Sequence, residues 1–173
     1  MGITKPMKIF FVAGAAGLLL LIIIIATTSG GGGGTSPPAN TSPQDKLTSD
    51  VTDALGPSNR NVPRGDVRYT DTHDLDVNFA INDNFSASYI KGGAGMDIAK
   101  VIKVAKSSPV PVDQITFSGT FAVQDKYGKV TEEKVLGANY SAGTISKMNL
   151  DNLSYDQTLA AADYLYWSPV MDK

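Results

Sequence analysis

An unbroken apolar run opens the chain: Ile9 to Ala26 reads IFFVAGAAGLLLLIIIIA, without a charged, amide or hydroxyl side chain. As a helix this run is about 27 Å long, close to the ~30 Å hydrocarbon core of a bilayer. Thr27 and Thr28 complete the crossing at the interface. Lipid offers no partners for open backbone groups, so a single span has to be helical. The pattern predicts a transmembrane anchor over residues 9–28, preceded by a cytoplasmic segment, residues 1–8. A cleaved signal peptide is the competing reading, with Lys5 and Lys8 as its charged start. It fits less well, because the apolar run exceeds the usual ~7–15 residues and no A-x-A site follows.

Charge sets the expected orientation. Lys5 and Lys8 flank the N-terminal end of the run, and no Lys or Arg follows until Lys46. The positive-inside bias keeps the N-terminus cytoplasmic and exports the C-terminal part. Ala13 and Gly17 form one small-xxx-small pair, which lets two spans approach closely but is also common in spans that never pair. Residues 29–43 read SGGGGGTSPPANTSP, a linker that buries nothing. Fully extended it reaches about 50 Å, so a domain carried on it works close to its own membrane.

Beyond the linker, residues 44–173 alternate between helical and strand periods. Ser42-Pro43-Gln44-Asp45 is a helix start, and Leu47, Val51, Ala54 and Leu55 share one helical face before Gly56-Pro57 stops it. A loop through Asn61, Pro63 and Gly65 follows. Leu75, Val77, Phe79 and Ile81 then alternate with Asp74, Asp76, Asn78 and Asn82, a strand with one dry face. Asn82-Asp83-Asn84 is turn chemistry, and Phe85, Ala87 and Tyr89 resume the alternation, which predicts a hairpin.

After Gly92-Gly93-Ala94-Gly95, read as a loop, the period turns helical through Ile98, Val101, Ile102 and Ala105. A second strand pair runs from Ile115 to Val123 and from Val130 to Tyr140, joined by Asp125-Lys126-Tyr127-Gly128. Its return strand breaks step around Val135-Leu136, which predicts a bulge or a twist. Thr144 to Met148 form a single helical turn. Ser154-Tyr155-Asp156-Gln157 is a capping box, and Leu159, Ala162 and Leu165 supply the apolar stripe of a last helix that ends at Ser168-Pro169. The order α-β-β-α-β-β-α predicts an α+β fold, a four-stranded antiparallel sheet with helices on one face.

Composition narrows the chemistry. The chain has 173 residues, 15 Lys and Arg against 17 Asp and Glu, and no cysteine. That removes disulfides and a lipoprotein anchor, and it gives no basic surface for nucleic acid. His73 is the only histidine, so zinc and a histidine-based triad lack partners. The glycine cluster lacks a third fingerprint glycine and a Walker lysine, and Asp97 places a negative charge where an anion would have to sit. Asp71, Asp74, Asp76, Asn82, Asp83 and Asn84 form a calcium site only if the hairpin brings them together; otherwise they are a wet strand face. Lys100, Lys103 and Lys106 make a basic row that reads first as a solvated helix face, and second as a contact for anionic lipid or wall polymer.

Tyr155, Tyr164, Tyr166 and Trp167 crowd the C-terminal segment beyond what one stripe can bury, and they are the best candidates for a partner surface. The expected protein is thus a single-pass membrane protein, non-catalytic and without a cofactor. Its exported domain binds the bilayer's neighbourhood through the anchor and another envelope protein through these aromatics. The alternative is an extracytoplasmic small-ligand or calcium sensor or carrier, with Gly92 to Gly95 as a lid. A carboxylate-based envelope hydrolase is a third class, since carboxylate pairs have no sequence spacing.

Overall fold

The computed structural model of the chain describes residues 42–172. The expected anchor, the segment before it and residues 29–41 of the linker lie outside the described residues. Among those described, no helix is long and apolar enough to cross a membrane.

The first helix, α1 (Pro43–Leu55), forms as its residues dictate. The Ser42 hydroxyl accepts the Asp45 N–H at 3.1 Å, Pro43 takes the first helical turn, and Gly56 ends the helix at φ 66°. Leu47, Val51 and Leu55 are buried. A strand, β1 (Gly65–Tyr69), then occupies the stretch read from sequence as a loop. Its five residues GDVRY carry too few alternations to stand out. It pairs antiparallel with β2 (Asp74–Ala80) across a turn in which His73 takes φ 62°.

The expected hairpin after β2 does not form. Ala87 and Tyr89 lie in the first turn of α2 (Ala87–Ser107), Phe85 stands just before it, and the Ser86 hydroxyl caps the Tyr89 N–H at 3.5 Å. Phe85 and Tyr89 are exposed, so their alternation marks no buried face. The helical period Ile90, Ala94, Ile98, Val101, Ile102 and Ala105 is buried and decides the element. The glycine cluster therefore lies inside a helix, not in a loop.

Because a helix leaves β2, the chain returns in parallel: β3 (Gln114–Gln124) pairs with β2 in that sense, with α2 as the crossover. β3 and β4 (Val130–Ser141) form the expected hairpin, with Gly128 at φ 85° in its turn. The expected bulge is there too, since Gly119 faces Leu136 and Thr120 faces Lys134, leaving Val135 as the extra residue.

Two short helices, α3 (Ala142–Lys147) and α4 (Tyr155–Ala160), follow, and the Ser154–Gln157 capping box of α4 is complete. The last helix stops at Ala160, earlier than its stripe suggested. Tyr164–Trp167 is instead a strand, β5, paired antiparallel with β4. Leu159, Ala162 and Leu165 fit a helical period, but three positions are too few to outweigh a run of strand-forming aromatics. The sheet is thus mixed and five-stranded, in the order β1-β2-β3-β4-β5, rather than four-stranded and antiparallel. The α+β class stands.

Residues paired across strands share a face. Leu75, Val77 and Phe79, Ile115 and Phe117, and Leu136, Ala138 and Tyr140 are buried on one face under the helices. Phe79, Phe117 and Tyr140 meet edge to face, with centroids 6.4 and 5.8 Å apart. All join one continuous hydrophobic core with α1, α2 and α4, so this region is a folding unit on its own.

A buried cation crosses this core. The Arg64 guanidinium donates to the Leu55 C=O at 3.2 Å, to the Ala80 C=O, and to the Asp97 carboxylate. It lies 5.8 Å from the Phe79 ring centroid. Lys100 donates to the other Asp97 oxygen at 3.0 Å. Both Arg64 and Asp97 are buried, so removing Arg64 leaves the Asp97 carboxylate in low dielectric with the half-exposed Lys100 as its remaining cation. Arg64→Met is expected to lose about 3–5 kcal/mol, and the double variant Arg64→Met/Asp97→Leu markedly less. Urea unfolding of residues 42–173 measures both; a double variant as unstable as the single one would contradict the assignment.

Candidate functional site

Among the described residues no helix covers the sheet face turned away from α1, α2 and α4, and that face is polar. Arg68, Asp76, Thr116, Asn139 and Tyr164 form one row across the five strands; Asp66, Asn78, Ser118, Gly137 and Tyr166 form the next. Arg68 and Asp76 pair at 3.0 Å on an exposed surface, which contributes at most about 1 kcal/mol. The rows end on aromatic rings at β5.

Three of the four expected partner-binding residues come together there. Tyr164 and Tyr166 stand on the open face and flank Gly137, where an added Cβ would meet their atoms at 3.7 and 3.8 Å. The rings cover a residue that has no side chain of its own. Trp167 points to the helix side beneath Lys91, whose ammonium lies 5.5 Å from the indole centroid and 2.6 Å from Asp172. Leu165, assigned from sequence to a buried helical stripe, shares that side but is exposed. Tyr164, Leu165 and Tyr166 are 55%, 39% and 42% exposed. The alternation of Tyr164 and Tyr166 with Leu165 and Trp167, just before Ser168-Pro169, is the signal that would have revealed the strand.

Tyr155 stands apart from this edge. It belongs to α4 and packs on α2, where Cβ atoms at Gly92 and Gly95 would lie 3.0 Å from its side chain. The missing side chains of Gly92 and Gly95 let α4 settle onto α2, so the glycine cluster is a helix-packing site and no lid.

β5 is also an edge. The Ser168 N–H donates to the Val135 C=O at 2.8 Å, and antiparallel pairing alternates from there. Tyr164, Tyr166 and Ser168 therefore direct their backbone groups to β4, while Leu165 and Trp167 direct theirs outward. Among the described residues no further strand pairs with β5. The opposite edge, β1, carries the charges of Asp66 and Arg68, which discourage pairing. Tyr164–Trp167 carries none.

Asp163 holds β5 in position. Its carboxylate accepts from the Ser141 N–H at 2.6 Å and from the Thr144 hydroxyl at 2.5 Å. Those bonds, the Thr144 one first, hold the carboxyl below the usual carboxylate range.

Other candidates disperse. Asp71 and Asp74 lie at one end of β2 and Asn82 to Asn84 beyond the other, about 25 Å away along an extended chain. Among the described residues no three His, Cys, Asp or Glu side chains converge as a metal site. His73 makes a turn, stacks on Tyr69 at 6.3 Å and lies 3.4 Å from the exposed Asp113 carboxylate. The lysine row is tied down: Lys100 to Asp97, Lys103 to Asp151 at 2.7 Å, and Lys106 to the Met148 C=O at 2.6 Å.

Two outcomes test these contacts. An added methyl at Gly93 meets nothing within 4 Å, whereas at Gly95 it meets the Tyr155 C=O at 2.9 Å. Gly93→Ala should therefore stabilise by about 0.5–1 kcal/mol, and Gly95→Ala should destabilise; melting temperatures moving the same way in both would refute the packing role. Asp163, with a lowered folded pKa, contributes stability that is present above its unfolded pKa and is lost as pH falls through the folded one. Wild type should exceed Asp163→Asn at neutral pH, and the gap should begin to narrow below about pH 4 and close only beneath the lowered folded pKa, read by denaturant midpoints across pH.

No family model matches the chain, and neither a curated protein nor a solved structure is similar to it.

Proposed function

We propose that this chain is a membrane-anchored binding and assembly module of the cell envelope, not an enzyme. In this reading residues 9–28 cross the membrane with the N-terminus in the cytoplasm, and the exported domain recruits a protein partner through β5. The observation that carries it is the β5 edge: an uncharged Tyr-Leu-Tyr-Trp strand with its first three side chains exposed, Trp167 half-buried, and outward-facing backbone groups at Leu165 and Trp167. Extended polypeptides bind such edges by adding a strand, with backbone bonds for affinity and alternate side chains for specificity. Tyr164, Tyr166 and Trp167 supply the side chains; Tyr155 supports the neighbouring helices instead.

A photo-crosslinking amino acid placed at Leu165 in the full-length protein in cells should yield a defined adduct. The same group at Asp66, on the charged edge, should not. No adduct from position 165, or equal adducts from both, would refute the assignment.

One observation favours a second reading, a small-ligand carrier. A groove of about 620 Å³ lies between α1 and α2, lined by Leu47, Val104, Pro43 and Pro109 with Lys46 and Lys103 at its margin. It is distinct from the Gly92–Gly95 segment.

A further inference from the structure

We infer that the partner strand added to β5 is β5 of a second copy of this chain. The inference rests on the assignment of β5 as the binding edge and names its occupant.

Electrostatics is the first support. Of the charged groups near β5, Lys91 is paired with Asp172, the Asp163 carboxylate is held by the Ser141 N–H and the Thr144 hydroxyl, and Lys134 lies on β4 beside Gly137. The strand itself has no charge. No charge on the strand itself repels an identical strand laid against it.

Geometry is the second. A two-fold axis normal to the sheet lays two β5 strands antiparallel, the sense in which β5 already pairs with β4. Leu165 and Trp167 have their backbone groups free, so the natural register bonds Leu165 of one copy to Trp167 of the other. Tyr166 then faces its own symmetry mate as the non-hydrogen-bonded pair, with Cα atoms about 4.5 Å apart. An aromatic pair forms on the open face, while Leu165 packs against Trp167 across the axis on the helix side.

The third support is where the chain enters. Ser42 starts α1, which lies in the helix layer. A two-fold normal to the sheet keeps both helix layers on one side, so both chains enter from the same side, an arrangement compatible with two tethers in one membrane. A four-residue strand makes a small interface. In solution the dimer is therefore weak, and confinement to a membrane strengthens it by raising the effective concentration.

Sedimentation equilibrium of residues 42–173, which hold a complete core, tests this. Wild type should associate as a dimer at concentrations of order 100 μM to 1 mM, in the range expected for so small an interface. Tyr166→Lys and Tyr166→Glu should each remain monomeric, since each places like charges at the axis. An equimolar mixture of the two should associate again. Tyr166 is exposed on the open face, so both variants fold, which a retained melting transition verifies. A monomeric wild type throughout, self-association of Tyr166→Lys equal to wild type, or failure of the mixture to associate would overturn the proposal. The adduct at position 165 separates the two ideas. An adduct of twice the chain mass supports self-pairing. An adduct with another protein overturns it but leaves β5 as the binding edge, and no adduct removes both.

Discussion

Everything in the domain is arranged around a charge that has to be satisfied out of water. Arg64 sits in the core with its donors spent on the Leu55 and Ala80 carbonyls and on Asp97. A buried guanidinium without those partners would cost several kcal/mol. Its bonds therefore fix the end of α1, the end of β2 and the middle of α2 relative to one another. The Ala80 N–H returns a bond to the Arg64 C=O at 2.7 Å, so the backbone entering β1 is locked to the end of β2 as well. Arg60 repeats the device at the margin, donating to the Ile81 C=O at 2.8 Å and to Glu132 at 2.5 Å while stacking 5.0 Å over Phe121.

That clasp decides which surfaces are left over. With α2 held against β2, the chain can reach β3 only as a parallel crossover. The helices lie on one face, and the other stays polar. α1 lies beside β1 at one side of the sheet, and α4 rests on α2 through Gly92, Gly95 and Tyr155. β5 is the last strand and contacts β4 alone among the major element pairs, which leaves an aromatic strand at an edge that no further strand covers among the described residues. The two edges of the sheet are chemically unlike, charged at β1 and uncharged at β5, and it is this asymmetry that makes β5 the surface to which the proposed functions refer.

What the sequence determined by itself was local. The Ser42 cap, the Ser154–Gln157 box, the β2 alternation, the β3–β4 hairpin and the bulge at Val135 depend on neighbours a few residues apart, and the chain spells them out. The aromatic content of 164–167 was equally plain, but its period read as a helix where the chain forms a strand. Only the tertiary structure decided that Ala87 opens a helix, that Gly92 and Gly95 pack against Tyr155, and that Tyr164–Trp167 is a strand. It also decided that Asp97 pairs with Arg64, thirty-three residues away, rather than guarding a helix end. Short apolar patterns of three or four positions satisfy both periods. What resolves them is burial against residues far along the chain, and burial is a property of the packed molecule alone.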